Sequence, residues 1–313
     1  MYLGNLGPTG TTHMVLELVA NSIDCFLAGN ATEIGVTLHA DHIEVWDDGC
    51  GFPLEPDGRG NEFLTTHHNL ATADGHAPHI HLVSMGVGIV AVNALSERFE
   101  VEALRGGQGW RQSGTMGVLE EAQQVEEVQR GTRIQFWPDT SILQSAQPDE
   151  MNLRRMLFDA VHLFPGLKIH FQDETFFALG GLLSLASFLA GGGHYGGSTD
   201  GILVRETIDK IRIEVALAGS LPQTYGKKKA AKPTVRSWAN GALTEGHGSH
   251  VKGVKSALKG STWQPAVWLV HVVMEHPVYA GPCRDRLGLP EVRKAVKKAV
   301  KTALADYRTK GDF

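Results

Sequence analysis

Glu17-Leu18-Val19-Ala20-Asn21-Ser22-Ile23-Asp24 places a carboxylate, an amide and a second carboxylate on one stripe of an otherwise apolar segment. At 3.6 residues per turn, positions 17, 21 and 24 are neighbours one turn apart. Met14, Val15, Leu18, Val19, Ile23 and Leu27 supply the surface that would bury such a helix. Taken alone, the three polar groups would serve equally well as caps or salt-bridge partners on a solvated face. Two motifs that follow argue for a site instead.

After two segments that read as a hairpin, 33–39 and 42–46, comes Asp47-Asp48-Gly49-Cys50-Gly51-Phe52-Pro53. A strand running into D-D-G-x-G has acidic groups at its exit and glycines that let a flat ligand approach the backbone. By itself Asp-Gly is turn punctuation. Ser84-Met85-Gly86-Val87-Gly88 then opens the apolar run 89–96. A helix start built on glycines offers unpaired N–H groups and a positive dipole end to a phosphate. Each motif is weak alone; in this order and this close together they point to a nucleotide site.

On these motifs the chain resembles the ATPase subunit of bacterial type IIA topoisomerases, the B subunit of DNA gyrase and its topoisomerase IV relative. It thereby resembles the wider gyrase, chaperone, histidine kinase and MutL group of ATPases. The likeness starts at Met1-Tyr2-Leu3-Gly4 and continues through Gly131-Thr132-Arg133-Ile134-Gln135-Phe136-Trp137-Pro138 and Gly248-Ser249-His250. It reaches Leu287-Gly288-Leu289-Pro290-Glu291-Val292-Arg293 and so covers almost the whole chain.

The resemblance implies an α+β protein: a Bergerat-type ATPase sandwich over 1–146, then a transducer domain of the ribosomal-protein-S5 type over 147–313. The boundary is expected in the polar stretch 139–148. In the second part, strands are expected at 168–171, 175–178, 208–218 and 265–275, and helices at 151–164, 181–190, 251–259 and 290–307. The resemblance also implies ATP and magnesium. Glu17 takes the place of the general base, and Asn21 that of the magnesium ligand. Asp47 stands where a carboxylate accepts from the adenine amino group, with Thr132 assisting through a water, and Asp24 and Gly51 fall in the same pocket. Gly86, Val87 and Gly88 match the phosphate-binding turn, and Arg111 an arginine at the pocket mouth. Nothing after the last helix corresponds to the Toprim domain, so the expected role is that of an ATPase module, a nucleotide-dependent homodimer that works as a clamp for a separate protein partner. DNA-acting proteins are the first candidates for that partner.

The chain departs from the family pattern in several places. Arg284, in Gly281-Pro282-Cys283-Arg284-Asp285-Arg286, stands where the family has a catalytic switch lysine. It keeps the charge but has a planar, bulkier head, so the alternative function is a nucleotide sensor with little turnover. Cys50 replaces a usual arginine. His67, His68, His76, His79 and His81 crowd the segment where the family has a glycine-rich lid; without a nearby cysteine, a solvated lid is expected there in preference to a zinc site. The N-terminal arm of the family is absent ahead of Met1, which implies a weaker dimer. A histidine kinase is disfavoured because no helix with a phosphoacceptor histidine precedes the nucleotide motifs.

Composition agrees without deciding anything. The 313 residues suit two domains, and 42% hydrophobic residues suffice for ordinary cores. A formal charge of −5 does not advertise a nucleic-acid binder. No run approaches the length of a membrane span, so a cytoplasmic location is expected. Three cysteines fit reduced thiols better than a disulfide framework. On the last helix Val292, Ala295, Val296, Ala299, Val300, Ala303 and Leu304 recur at helical spacing, and the basic residues between them read as a solvated face.

Overall fold

The computed structural model describes residues 5–56, 58–66, 80, 82, 88–126, 128–191, 201–221, 232–280 and 285–310. They fall into two compact units, divided between Ala178 and Leu179. The first unit begins with the helix Pro8–Leu27 (α1). Proline in its first turn lacks only an N–H that would have had no partner there. Met14, Val15, Leu16, Leu18, Val19 and Ile23 are buried, whereas Leu27 is exposed at the helix end, where the core stops.

The hairpin Glu33–Leu38 (β1) and Ile43–Asp47 (β2) follows, then the short helices Gly60–Thr65 (α2) and Gly88–Ala94 (α3). Next come Ser96–Arg105 (β3), Gln108–Thr115 (β4), Val118–Leu119 (β5), Gln123–Val125 (β6) and Gly131–Pro138 (β7). The helix Glu150–Leu163 (α4) and the strands Lys168–Phe171 (β8) and Glu174–Phe177 (β9) complete the unit. The strands form one sheet in the order β5-β4-β3-β7-β2-β1-β8-β9, with β6 paired to β4.

Strand alternation sorts this sheet into two faces. Cross-strand register places Val45, Asp47, Thr132, Ile134, Val101 and Ala103 on one face. Glu44, Glu100, Glu102, Arg111, Arg133 and Gln135 lie on the other. The polar face is cross-linked by charge: Arg133 Nε donates to Glu44 Oε2 at 2.8 Å, and Arg111 Nε to Glu102 Oε1 at 2.7 Å.

The division between units lies later than the expected 146. The segment carrying α4, β8 and β9 belongs to the first unit because β8 adds parallel to β1, from Glu33 opposite Lys168 to Val36 opposite Phe171. The Glu33 carboxylate reinforces the pairing, engaging the Lys168 ammonium and His170 Nε2, the latter at 2.8 Å. Asp149 caps α4 by accepting from the Asn152 N–H at 3.1 Å.

The second unit contains Gly181–Ala190 (α5), Gly201–Ile208 (β10), Ile211–Ala218 (β11), Thr234–Ala239 (β12), Ala242–Leu243 (β13), Ser249–Ala257 (α6), Val267–Val273 (β14) and Pro290–Lys310 (α7). Its sheet runs β10-β11-β14-β12-β13, with β12 and β14 parallel. The region expected as one strand from 208 to 218 is instead the turn and second arm of a hairpin. Asp209 and Lys210 form that turn, both with positive φ, of 50° and 63°. Val292, Ala295, Val296, Ala299, Val300 and Leu304 of α7 pack with Val254 and Ala257 of α6 against Ile213, Val215, Val270 and Val272. Lys294, Lys297, Lys298 and Lys301 are exposed, as a solvated face requires.

Beneath this helical layer sits a buried polar cluster. Ser237 Oγ lies 2.8 Å from Thr244 Oγ1 and 2.9 Å from His247 Nδ1, and Thr244 Oγ1 lies 3.2 Å from His250 Nε2. Burial pushes the His250 and His271 rings down to about 3 each, with the neighbouring charges of His247 and Arg212 adding to the effect. The unfolded chain takes up these protons near the ordinary 6.5 and the folded one does not, so the second unit should lose stability as pH falls below that value. The expected slope is about 1.4 kcal/mol per pH unit for each ring. Hydrogen exchange of the β11 and β14 amides between neutral and mildly acid pH reads it, and a flat profile would refute it.

Candidate functional site

On the face of the first sheet that carries Val45, Asp47, Thr132 and Ile134, a cavity of about 370 Å³ opens against α1. The helix lines it with Leu18, Asn21, Ser22 and Cys25. Their i, i+3, i+4, i+7 spacing makes them a single stripe. The loop after β2 adds Cys50, Gly51, Phe52 and Pro53, and the end of β3 adds Arg105. Phe63 from α2 and Gly88, Ile89 and Val90 from α3 close the remaining sides. The lining is mainly apolar with a few placed polar groups, the usual make-up of a small-molecule site.

Asp47 is the buried acid of this cavity, 7% exposed. Ser22 Oγ donates to its Oδ2 at 2.8 Å, and the Gly49 N–H to its Oδ1 at 3.0 Å. Burial raises its pKa above the ordinary carboxylate value, and hydrogen bonds from Ser22 and from the main chain of Gly49 and Thr132 oppose the rise. A carboxylate has about four acceptor sites, so capacity remains for a donor inside the cavity. The surrounding glycines serve the protein's own packing. A Cβ on Gly131 would lie 1.8 Å from the Asp47 carbonyl oxygen, and one on Gly51 would lie 2.4 Å from that of Leu104. With φ of +97° and +80°, both also need a conformation that favours glycine.

Glu17 is buried, 4% exposed, and its Oε2 accepts from the Gly88 N–H at 3.1 Å. This bond ties the first turn of α3 to the middle of α1. Asn21, one turn further along α1, is exposed at the cavity edge. Asp24, another turn on, accepts from the Ile80 N–H at 3.0 Å. The stripe anticipated from sequence therefore exists, with each of its three members given different work.

The family described as "Histidine kinase-, DNA gyrase B-, and HSP90-like ATPase" matches residues 7–142, the stretch that builds every wall of this cavity. The chain carries a domain of this family. Its likeness to gyrase runs well beyond that domain. The DNA gyrase B protein of Thermotoga maritima is 30% identical over 346 residues, which takes in 97% of this chain and 53% of that protein. This chain thus spans about half the length of the curated relatives it matches. The 43K ATPase domain of Thermus thermophilus gyrase B, solved with an aminocoumarin, aligns with a TM-score of 0.76 at 27% identity, covering 99% of this chain and 88% of that one. The topoisomerase IV ATP-binding domain of Francisella tularensis shares the fold, with a TM-score of 0.74 at 22% identity, covering 99% of this chain and 89% of that one.

Within the gyrase B-like domain, Arg111 is not at the pocket mouth. It sits opposite Glu102 on β4, so its side chain belongs to the sheet face away from the cavity, where it pairs with Glu102 and Glu100. Arg105 has the opposite strand parity and takes the mouth. Its Nε donates to Glu55 Oε1 at 2.9 Å and its Nη1 to the Gly51 carbonyl at 3.0 Å. Asp24 holds the backbone at Ile80; neither it nor Glu17 is among the residues that line the cavity, and Glu17 reaches the lining through its bond to Gly88. Gly86, Val87, Arg284 and the five histidines expected in the lid lie outside the described residues. Ser22, Cys25, Phe63 and Arg105 line the cavity without having been anticipated. The i+4 and i+7 continuation of Leu18 along α1 is the signal that points to Ser22 and Cys25.

Proposed function

We propose that this chain binds ATP with Mg²⁺ in the cavity, hydrolyses it, and in its ATP state closes a homodimer that acts on a separate, DNA-acting partner. The observation that carries the reading is Asp47: a buried carboxylate, held by Ser22 and Gly49, on the floor of a cavity inside a domain of an ATPase family. Its free acceptor capacity suits the exocyclic amine of adenine.

Asn21 fits the metal. Its side-chain amide belongs to the cavity lining, where it can offer an oxygen ligand. That suits Mg²⁺, which takes oxygen ligands, keeps several waters and is commonly shared with substrate phosphates. When bound, Mg²⁺ would neutralise charge on those phosphates. Glu17 would orient the attacking water and take its proton. The Gly88 N–H, donating to Oε2, orients the carboxylate for that task. In this reading the second unit is the transducer of the ribosomal-protein-S5 type, and the chain works in the cytoplasm; among the described residues no helix is long and apolar enough to cross a membrane.

Two measurements test the proposal. Phosphate release in the presence of Mg²⁺ should follow ATP concentration with saturation. Sedimentation should give a dimer with a non-hydrolysable ATP analogue and less of it with ADP, because a ligand shifts such an equilibrium only by its differential affinity for the two states. Saturable binding without phosphate release would favour the nucleotide-sensor alternative, and a monomer under every condition would overturn the clamp.

A further inference from the structure

Two cysteines face one another across the cavity wall. Cys25 comes from α1 and Cys50 from the loop after β2, and both line the cavity. Cys50 is exposed and Cys25 half-buried. The intervening loop is shaped around the Cys25 sulfur: a Cβ on Gly49 would lie 2.5 Å from Cys25 Sγ, so glycine at that position lets the thiol rest on the backbone one residue from Cys50. Cys25 interacts with both the main chain and the thiol of Cys50. On the other side, Arg105, whose Nε pairs with Glu55, brings its Nη1 to 3.9 Å from Cys50 Sγ.

We propose that Cys25 and Cys50 form a thiol modification site on the cavity wall, which accepts small disulfides and closes to a Cys25–Cys50 cross-link. The division of labour follows from the surroundings. Cys50 is exposed and Cys25 half-buried, and access decides which sulfur meets a small disulfide first. Burial, together with the nearby Asp47 charge, pushes the Cys25 thiol up to about 11, so Cys25 enters second. Cys50 sulfur, as the thiolate, attacks one sulfur of a disulfide such as oxidised glutathione. The S–S bond breaks and one glutathione leaves as its thiolate. Cys25 sulfur then attacks Cys50 sulfur and displaces the second glutathione, and the Cys25 proton ends on a leaving thiolate. Both protein thiols are oxidised, one small disulfide is reduced to two thiols, and a reducing pool reverses the exchange. The consequence for ATP rests on the nucleotide reading above: the cross-link would pin α1 to the loop beside Asp47 and narrow the cavity.

The test uses the full chain carrying Cys283→Ser, which removes the third thiol. After oxidised glutathione and alkylation under denaturing conditions, the intact mass should show loss of two hydrogens and no retained glutathione. Peptide mapping should join the Cys25 and Cys50 peptides, and dithiothreitol should reverse both results. Adding Cys25→Ser should leave one glutathione trapped on Cys50. Retained glutathione with Cys25 present, or alkylation of both thiols, would overturn the site. A fluorescent ATP analogue should then bind the cross-linked protein at least about tenfold more weakly than the reduced protein, a change of about 1.4 kcal/mol. Failure of the reduced protein to bind it would count against the nucleotide reading alone, since the mass result does not depend on ATP.

Discussion

Glu17→Gln should lower ATP turnover by roughly 10²–10⁴ while leaving nucleotide affinity within a few-fold, the usual worth of a positioned general base. Glutamine is chosen because its side-chain oxygen can still accept the Gly88 N–H that Oε2 holds at 3.1 Å, so the tie between α1 and α3 survives while the basic site is lost. Glu17→Ala removes both and should also loosen that tie, because the half-buried Gly88 N–H loses its acceptor. Steady-state phosphate release at saturating ATP, beside calorimetric binding of a non-hydrolysable analogue, separates the two effects. A glutamine variant that turns over like the parent would remove Glu17 from the chemistry. Equal losses of affinity and turnover would make it a binding group instead.

At Asp47 the expected loss is in binding. The carboxylate already organises Ser22 and Gly49, and replacing it by alanine removes the acceptor offered to adenine and strands those donors at the same time. A hydrogen bond to a charged group contributes about 1.5–3 kcal/mol, so ATP affinity should fall at least roughly ten- to a hundredfold. GTP, which presents an acceptor where adenine presents a donor, should bind the parent at least about tenfold more weakly than ATP, for the same reason. pH adds an independent handle. Burial raises the Asp47 pKa, so on acidification the acceptor is lost earlier than an ordinary aspartate would lose it, and ATP affinity should fall as pH drops toward the carboxylate range. Calorimetry with ATP and GTP analogues across that range decides the matter. Equal affinities for the two bases would mean that the ring is not held by Asp47.

The features legible in the chain alone are those with a local period. The apolar and polar stripes of α1 put Glu17, Asn21 and Asp24 in line, the hairpin of β1 and β2 delivered Asp47 to a strand exit, and α7 declared its buried face through Val292, Val296 and Val300. Helical and strand periods are written in neighbouring residues, so they can be read without knowing what lies across the chain. The hairpin at Asp209 and Lys210 escaped because its turn uses no glycine or asparagine, although both φ angles are positive.

Whatever depends on distant partners was settled by the assembled fold. Arg105 and Arg111 are equivalent as letters near the end of one strand and the start of the next. Only the register of β3 with β4 and β7 assigns one to the cavity and the other to the opposite face. Asp24 turned from a pocket residue into the acceptor for the Ile80 N–H, a partner that sequence spacing does not disclose. The unit boundary moved to Ala178 because β8 found an open edge on β1, more than a hundred residues earlier in the chain. Cys25 and Cys50 became neighbours because Gly49 leaves no side chain between the helix and the loop. In each case the deciding quantity is which backbone groups and which faces are buried together, and that is a property of the assembled sheet, since a buried strand edge or polar group needs a partner wherever in the chain one lies.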